Sequence, residues 1–304
     1  MKKLFTFLVM MFFWISLHAQ VVVENNVSES LNTSKTESDE FQDSYADDLP
    51  WHARRFKVTA GAFFPINNTE VQVGSNNGTF GNLIDFEKDL GFNKSTVSFF
   101  GAFEWRISRR SRLGSEYYYL GRNSSKTLEK EIEFRDHVYP VNATVSAFMN
   151  NHIGRITYSY AFISKPKYEI GALIGAHVLF TDVGMRLEGA TIETEYRDNF
   201  DFTAPLPDIG VWGEFVLGRK LGLYANFNYF AIKINDFDGR LLSYNLSLLY
   251  NVYENFSLMA GYTGLNVRVD MEKERLNGFF KWGYNGPTLT ATYSFGNHVK
   301  LYKH

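Results

Sequence analysis

Cysteine is absent from all 304 residues of this chain. That excludes disulfides, a thiol nucleophile, thiolate metal sites and a lipidated N-terminal cysteine. Excess charge of either sign is also missing. A net charge of −2 gives no electrostatic pull toward nucleic acid. After Gln20 no apolar run is long enough for a transmembrane helix, which needs roughly 20 residues. Any membrane role must therefore come from a closed barrel, the other structure that satisfies its backbone hydrogen bonds in lipid. Proline is scarce, at seven residues, and each one past the N-terminal segment reads as a loop, turn or strand-end position. No Gly-rich phosphate loop, zinc spacing or dinucleotide fingerprint is present, so no cofactor and no metal is expected.

What the chain has is alternation. Thr288 to Phe295 reads T-L-T-A-T-Y-S-F, and a strand sends successive side chains to opposite faces. Leu289, Ala291, Tyr293 and Phe295 share one face, and Thr288, Thr290, Thr292 and Ser294 the other. Such a sheet suits lipid outside and a wet lumen inside. Aromatic residues make up 17% of the chain, as expected where aromatic girdles mark two membrane interfaces. No helical period competes with the two-residue one.

The N-terminus has the form of a secretory signal: Lys2 and Lys3, an apolar core from Leu4 to Leu17, and a Leu17-His18-Ala19 cleavage site before Gln20. We assign 1–19 to a signal peptide. Residues 20–50 form an acidic leader, with Glu29, Glu37, Asp39, Glu40, Asp43, Asp47 and Asp48 against the single Lys35, a composition that cannot order itself. The barrel is expected over 51–296, followed by a short tail at 297–304.

Ten strands are expected: Arg55 to Phe64, Thr96 to Ile107, Leu113 to Gly121, Arg155 to Phe162, Tyr168 to Phe180, Ile209 to Leu217, Leu221 to Ile232, Arg240 to Tyr250, Phe256 to Val267 and Thr288 to Phe295. Eight and twelve are the neighbouring counts, because Thr69 to Gly74 and Thr127 to Thr144 could hold further strands or hairpins above the membrane. Short polar turns, such as Ser108 to Ser111 and Ser164 to Lys167, alternate with mostly longer segments: Asn67 to Asn93, Asn123 to His137, Thr181 to Pro205 and Asp270 to Asn285. Tight turns on one side and long loops on the other characterise transmembrane barrels. The fold class is thus all-β, a transmembrane antiparallel barrel of about ten strands.

The Leu-His-Ala-Gln cleavage region, the repeated Gly-plus-aromatic strands and the closing Thr-Ala-Thr-Tyr-Ser-Phe resemble the outer-membrane β-barrel proteins of the Bacteroidetes type, over roughly Trp51 to Phe295. The resemblance implies export to a Gram-negative outer membrane, with membrane lipids and the barrel-assembly machinery as partners and no nucleic acid. A monomer is expected. The family pattern is specific for architecture and carries many functions. Phe295 is followed by nine more residues, whereas many members end on the aromatic, which would make the assembly signal internal.

Candidate chemistry is sparse. Neither His152 nor His177 has a serine two residues away, as a lipid-deacylating dyad would require. Asp236 and Asp238 form an i, i+2 carboxylate pair that a rim protease could use, or that could bind calcium together with Asn235. A polar Asn-Asp-Phe-Asp-Gly turn explains them more simply. The more informative set is Glu104, Arg106, Glu116, Arg155, Glu169, His177 and Glu214, all expected on lumen faces. There they form either a charge-selective pathway or an interior ion-pair network that, with Trp212, Tyr224 and Phe230, fills a narrow barrel. The functional expectation is a non-enzymatic membrane barrel giving restricted passage to small solutes or a surface for binding. A rim-located hydrolase acting on lipid or peptide is the alternative.

Overall fold

A strand in a membrane needs a partner on both sides, and this chain supplies them by closing on itself. The computed structural model describes residues 51–73, 82–134, 137–188, 197–234, 237–273 and 276–300. The signal peptide and the acidic leader lie outside the described residues. A 3₁₀ turn, Trp51–Ala53, leads into β1 (Arg54–Phe63), β2 (Ile66–Val73), β3 (Ile84–Asp85), β4 (Ser98–Arg106) and β5 (Ser111–Thr127). A small hairpin, β6 (Ile132–Phe134) and β7 (His137–Tyr139), precedes β8 (Thr144–Lys165), β9 (Tyr168–Leu187) and β10 (Arg197–Val216). The chain ends with β11 (Leu221–Ile234), β12 (Phe237–Tyr253), β13 (Phe256–Lys273) and β14 (Leu276–His298).

Ten of these form an antiparallel ring in the order β1-β4-β5-β8-β9-β10-β11-β12-β13-β14, shut by pairing of β1 with β14. The tail expected from residue 297 in part continues this wall, because β14 runs to His298 and Val299 donates to the Ala53 carbonyl at 2.9 Å. β2 prolongs the line of β1 beyond Phe64-Pro65 and pairs with the upper part of β14, Gly278 to Asn285. Residues 82–95 then run beside the upper half of β5.

The strands are much longer than a membrane requires. β8 has 22 residues, which at about 3.3 Å per residue and a tilt near 40° rises on the order of 50 Å, twice an apolar band of roughly 25 Å. Several segments expected as loops are therefore wall: 123–127 in β5, 181–187 in β9, 197–205 in β10, and 270–273 with 276–285 in β13 and β14. Pro205, Pro207 and Pro287 correspondingly lie inside strands and not at their ends.

The extra length has its own side-chain logic. Along lower β13, Leu258 and Tyr262 face outward and are exposed, while Ser257 and Thr263 are buried inward. Above Gly264 the assignment inverts: Leu265, Val267 and Val269 are buried, and Arg268 pairs with Asp270 on the outside at 2.8 Å. The same inversion occurs in β14, from outward Leu289 and Tyr293 to inward Tyr284, Trp282 and Phe280, and in β12, where Asp238 and Arg240 pair at 3.3 Å above the apolar Leu246, Leu248 and Tyr250. A wall bordered by lipid is apolar outside, and a wall bordered by water is apolar inside. The inversion marks the height at which the barrel leaves the membrane.

Ring closure is sterically exacting. A Cβ on Gly61 would lie 2.3 Å from the Leu289 carbonyl and 2.6 Å from Thr290 Cα, whereas a Cβ on Gly154 meets nothing within 4 Å. Gly61→Val should therefore cost about 1–3 kcal/mol or more through overpacking of the β1–β14 seam. We expect it to lose the compact, heat-modifiable gel band that Gly154→Val retains.

Candidate functional site

The lumen is built in layers. At the short-turn end, where β4 gives way to β5 and β8 to β9, carboxylates and cations interlock. Arg106, fully buried, donates to both oxygens of Glu169, Nη1 to Oε1 at 3.0 Å and Nη2 to Oε2 at 2.8 Å. Arg112 donates to Glu169 as well, to Glu214 Oε2 at 2.9 Å, and more distantly to Glu104 at 3.5 Å. Its guanidinium lies 4.3 Å from the centre of the Trp212 ring. Lys57 from β1 completes the layer at 3.4 Å from Glu104 and 3.6 Å from Glu214. Three cations thus face three carboxylates, which offsets the cost of burying each alone. Ser164 Oγ donates to Glu169 at 2.9 Å.

The 3₁₀ turn caps this layer. His52 is buried, with Nδ1 3.6 Å from Glu214 and Nε2 3.5 Å from the Pro166 carbonyl, so the turn between β8 and β9 is tied to the entry of β1. His52, Glu169 and Glu214 bring three ligand-type atoms within 4.8 Å of one another. The two carboxylates are already engaged by Arg106 and Arg112, so guanidinium groups hold the place a metal cation would take.

A second cluster lies higher. Arg155 donates from Nε and Nη2 to Asp208 Oδ2 at 3.2 and 2.8 Å, and from Nη1 to Glu116 at 3.4 Å. His177 Nδ1 is 3.2 Å from the same Asp208 oxygen. Tyr118 Oη donates to Glu116 at 3.3 Å, and its ring meets Phe63 edge-on and Phe100 at a tilt. Between the layers is a cavity of about 180 Å³. Glu104, Glu116, Arg112, Arg155 and His177 line one wall; Ser243, Asn245, Ser247, Thr263, Thr290 and Thr292 line the other.

Above it the interior is apolar. Phe63, Tyr118 and Tyr284 merge with Met149, Leu179, Val183, Leu206, Val267, Phe280 and Trp282 in one buried cluster. Ile84, Phe86, Leu90 and Phe92 from the 82–95 segment belong to it, as do Ile132, Phe134 and Tyr139 of the small hairpin. A buried ion pair latches the segment: Arg122 Nη1 to Glu87 Oε1 at 2.6 Å, with Glu87 also accepting from the Thr69 amide at 2.8 Å. Arg122 lies 5.2 Å over the Phe92 ring. Outside the latch, Lys88 holds Asp85 at 2.9 Å. Partial burial raises the Asp85 carboxyl, but its bonds to Lys88 prevail and leave it below the ordinary carboxylate range.

Of the seven lumen candidates, Glu104, Arg106, Glu169 and Glu214 share the lower layer, and Glu116, Arg155 and His177 share the upper. Lys57, Arg112, Asp208 and His52 were not among them. Arg112 and Asp208 lie one residue before the expected strand starts at Leu113 and Ile209, and Lys57 falls between outward Phe56 and Val58, so alternation alone could have found all three. Nothing in the sequence signals His52. Asp236 lies outside the described residues, and Asp238 is engaged by Arg240 on the outer wall. His152 also faces outward, its Nδ1 2.7 Å from Tyr117 Oη. Trp212 and Tyr224 pack together inside.

No protein-family model matches this chain, and no curated protein does. Solved structures do. The outer membrane protease OmpT of Escherichia coli matches with a TM-score of 0.50 at 12% identity, over 79% of this chain and 97% of that one. The translocator domain of the autotransporter NalP of Neisseria meningitidis matches at 0.45 and 10%, over 85% and 95%. Ail, the attachment invasion locus protein of Yersinia pestis, matches at 0.28 and 9%, over 80% and 99%. The OmpT likeness establishes the fold alone: an outer-membrane β-barrel with a ring of ten strands.

The lower layer predicts a sharp energetic response. Glu169→Ala leaves Arg106 buried without its carboxylate and should cost about 3–5 kcal/mol, read as a lower guanidinium midpoint for the detergent-folded barrel. An unchanged midpoint would mean that the network adds nothing to stability.

Proposed function

We propose that this chain is exported by its N-terminal signal to the Gram-negative outer membrane and works there as a monomeric, non-enzymatic barrel that is closed at rest. It gives small polar solutes restricted passage. Membrane lipids and the assembly machinery are its partners in this reading. One observation carries it: a cavity of about 180 Å³, lined by charged and hydroxyl-bearing side chains among aromatic ones, lies between two closures of different chemistry, an ion-paired layer below and an apolar cluster above. The upper closure depends on residues 82–95, held by the Arg122–Glu87 pair. Apolar contacts, Thr69 on Glu87 and Lys130 on Asp89 at 2.7 Å also hold the segment, so breaking the buried pair loosens a closure that the others still support. Of the residues considered for a rim hydrolase, the outward His152 meets a tyrosine and Asp238 an arginine.

Planar bilayers test the proposal. Wild-type protein should give small, rare conductance steps. Glu87→Gln combined with Arg122→Gln removes the latch without leaving a lone buried charge and should raise the frequency of openings. Large, steady currents from the wild type would refute resting closure. A double variant as silent as the wild type would refute the latch.

A further inference from the structure

Between β10 and β11 the ladder of the barrel wall stops short. β9 and β10 pair without a break from Glu169–Glu214 up to Arg186–Arg197. β11 and β12 pair from Leu221–Tyr250 up to Ile234–Phe237. Among the described residues, however, the ladder between β10 and β11 stops at Ile209–Tyr229. Above that point β10 continues to Arg197 and β11 to Ile234 without pairing to each other.

The sequence explains the break. In an antiparallel ladder alternate residues send their N–H to alternate neighbours. The β9 ladder runs through Val178–Pro205 and Ala176–Pro207 intact, so the nitrogens that lack a hydrogen face β11. Two successive β11-facing donors are thereby missing. The facing N–H groups of β11 are those of Ala231 and Lys233, two and four residues above Tyr229. The strand is instead held from inside. Asp208, just below the prolines, is pinned by Arg155 and His177, and Phe202, above them, meets Phe280 across the lumen with ring centres 5.0 Å apart.

The height of the break is informative. Ile209 and Tyr229 are exposed on the outer face at its base, and Thr203 and Asp201 are exposed above it, so it straddles the upper edge of the apolar band. Inside, at the same height, the polar lumen gives way to Leu206, Ala204 and Leu241. The break therefore has apolar Ile209 and Tyr229 outside and apolar Leu206 and Leu241 inside, whereas lower on the same strands Asn228 and Glu214 are buried inward. Exposed Lys233 sits on the outer face beside it, positioned for the anionic headgroup of a lipid whose chain enters.

We propose that the β10–β11 break is a lateral portal through which the acyl chain of a lipid in the outer leaflet reaches the apolar interior of the barrel. The chain could belong to a membrane phospholipid or to a free fatty acid, and the same chemistry serves both.

The absence of native cysteine allows a direct test on the full-length barrel in nanodiscs. Bimane attached at Ile232→Cys, inward beside the break, should be quenched by lipids with brominated acyl chains. Bimane at Asn226→Cys, inward on the same strand where Trp212 pairs with it, should not. Quenching by brominated phospholipid in the bilayer assigns the occupant to the membrane, and quenching only by added brominated fatty acid assigns it to the free acid. Equal quenching at the two positions, or none at either, overturns the portal. Disulfide trapping gives a second readout that does not depend on the dye. Val211→Cys with Phe227→Cys, paired in the intact ladder, should cross-link. Leu206→Cys with Ile232→Cys, which would face each other if the ladder continued, should not. Efficient cross-linking of the second pair would show a sealed wall and refute the proposal.

Discussion

In hydrocarbon an unpaired backbone group costs several kcal/mol, and most of this molecule follows from that single penalty. It demands a ring, and a ring demands that β1, first in the chain, meet β14, last in the chain, in register from Phe56–Phe295 to Phe63–Thr288. Closure fixes the tilt of the strands and leaves an interior too narrow to stay empty. Once the interior is narrow, whatever faces inward must be neutralised or must pack. Lys57, Arg106 and Arg112 against Glu104, Glu169 and Glu214 are the first solution. The aromatic and aliphatic cluster around Trp282 is the second.

The two solutions occupy different heights because the medium outside differs. Where lipid surrounds the wall, apolar side chains are drawn outward and the polar remainder turns in, so the interior must be ion-paired. Where water surrounds it, the apolar set turns in and forms a core of the kind any soluble protein has, with Arg240–Asp238 and Arg268–Asp270 outside. A single strand such as β13 carries both patterns, exchanged around Gly264, without a change of register. The upper half is thus held by ordinary hydrophobic burial, and the lower half by closure and ion pairing.

This inversion also decides how much was legible. Alternation with apolar residues outward located all ten membrane-crossing segments, because Leu289-Ala291-Tyr293-Phe295 and its counterparts announce a lipid face directly. The upper walls read as loops because Asp270, Lys281 and Asn285 replace apolar residues on the outward face, and a pattern tuned to lipid ends there. The same stretch still alternates, with Phe280, Trp282 and Tyr284 on one face, but with the opposite phase. The charged layer was half visible, since Glu104 and Glu169 lie inside lipid-phase strands, while Arg112 and Asp208 sit one residue before the expected starts. The Arg122–Glu87 latch was not legible at all. It joins a strand to a segment with no period of its own, and only the folded topology brings them together.

Pro205 and Pro207 show the governing penalty from the other side: they remove donors where the wall is leaving the lipid, at the height where an unpaired edge is least costly. Residue-resolved amide hydrogen exchange on the barrel in lipid nanodiscs tests this account most directly. It predicts slow exchange for the β1–β14 amides from Val58 to Ala62 and for Tyr229, with Ala231 and Lys233 exchanging far faster on the same strand. Protection of Ala231 and Lys233 equal to that of Tyr229, or rapid exchange along β1, would contradict a ring that is paired at the β1–β14 seam and unpaired above Tyr229 between β10 and β11.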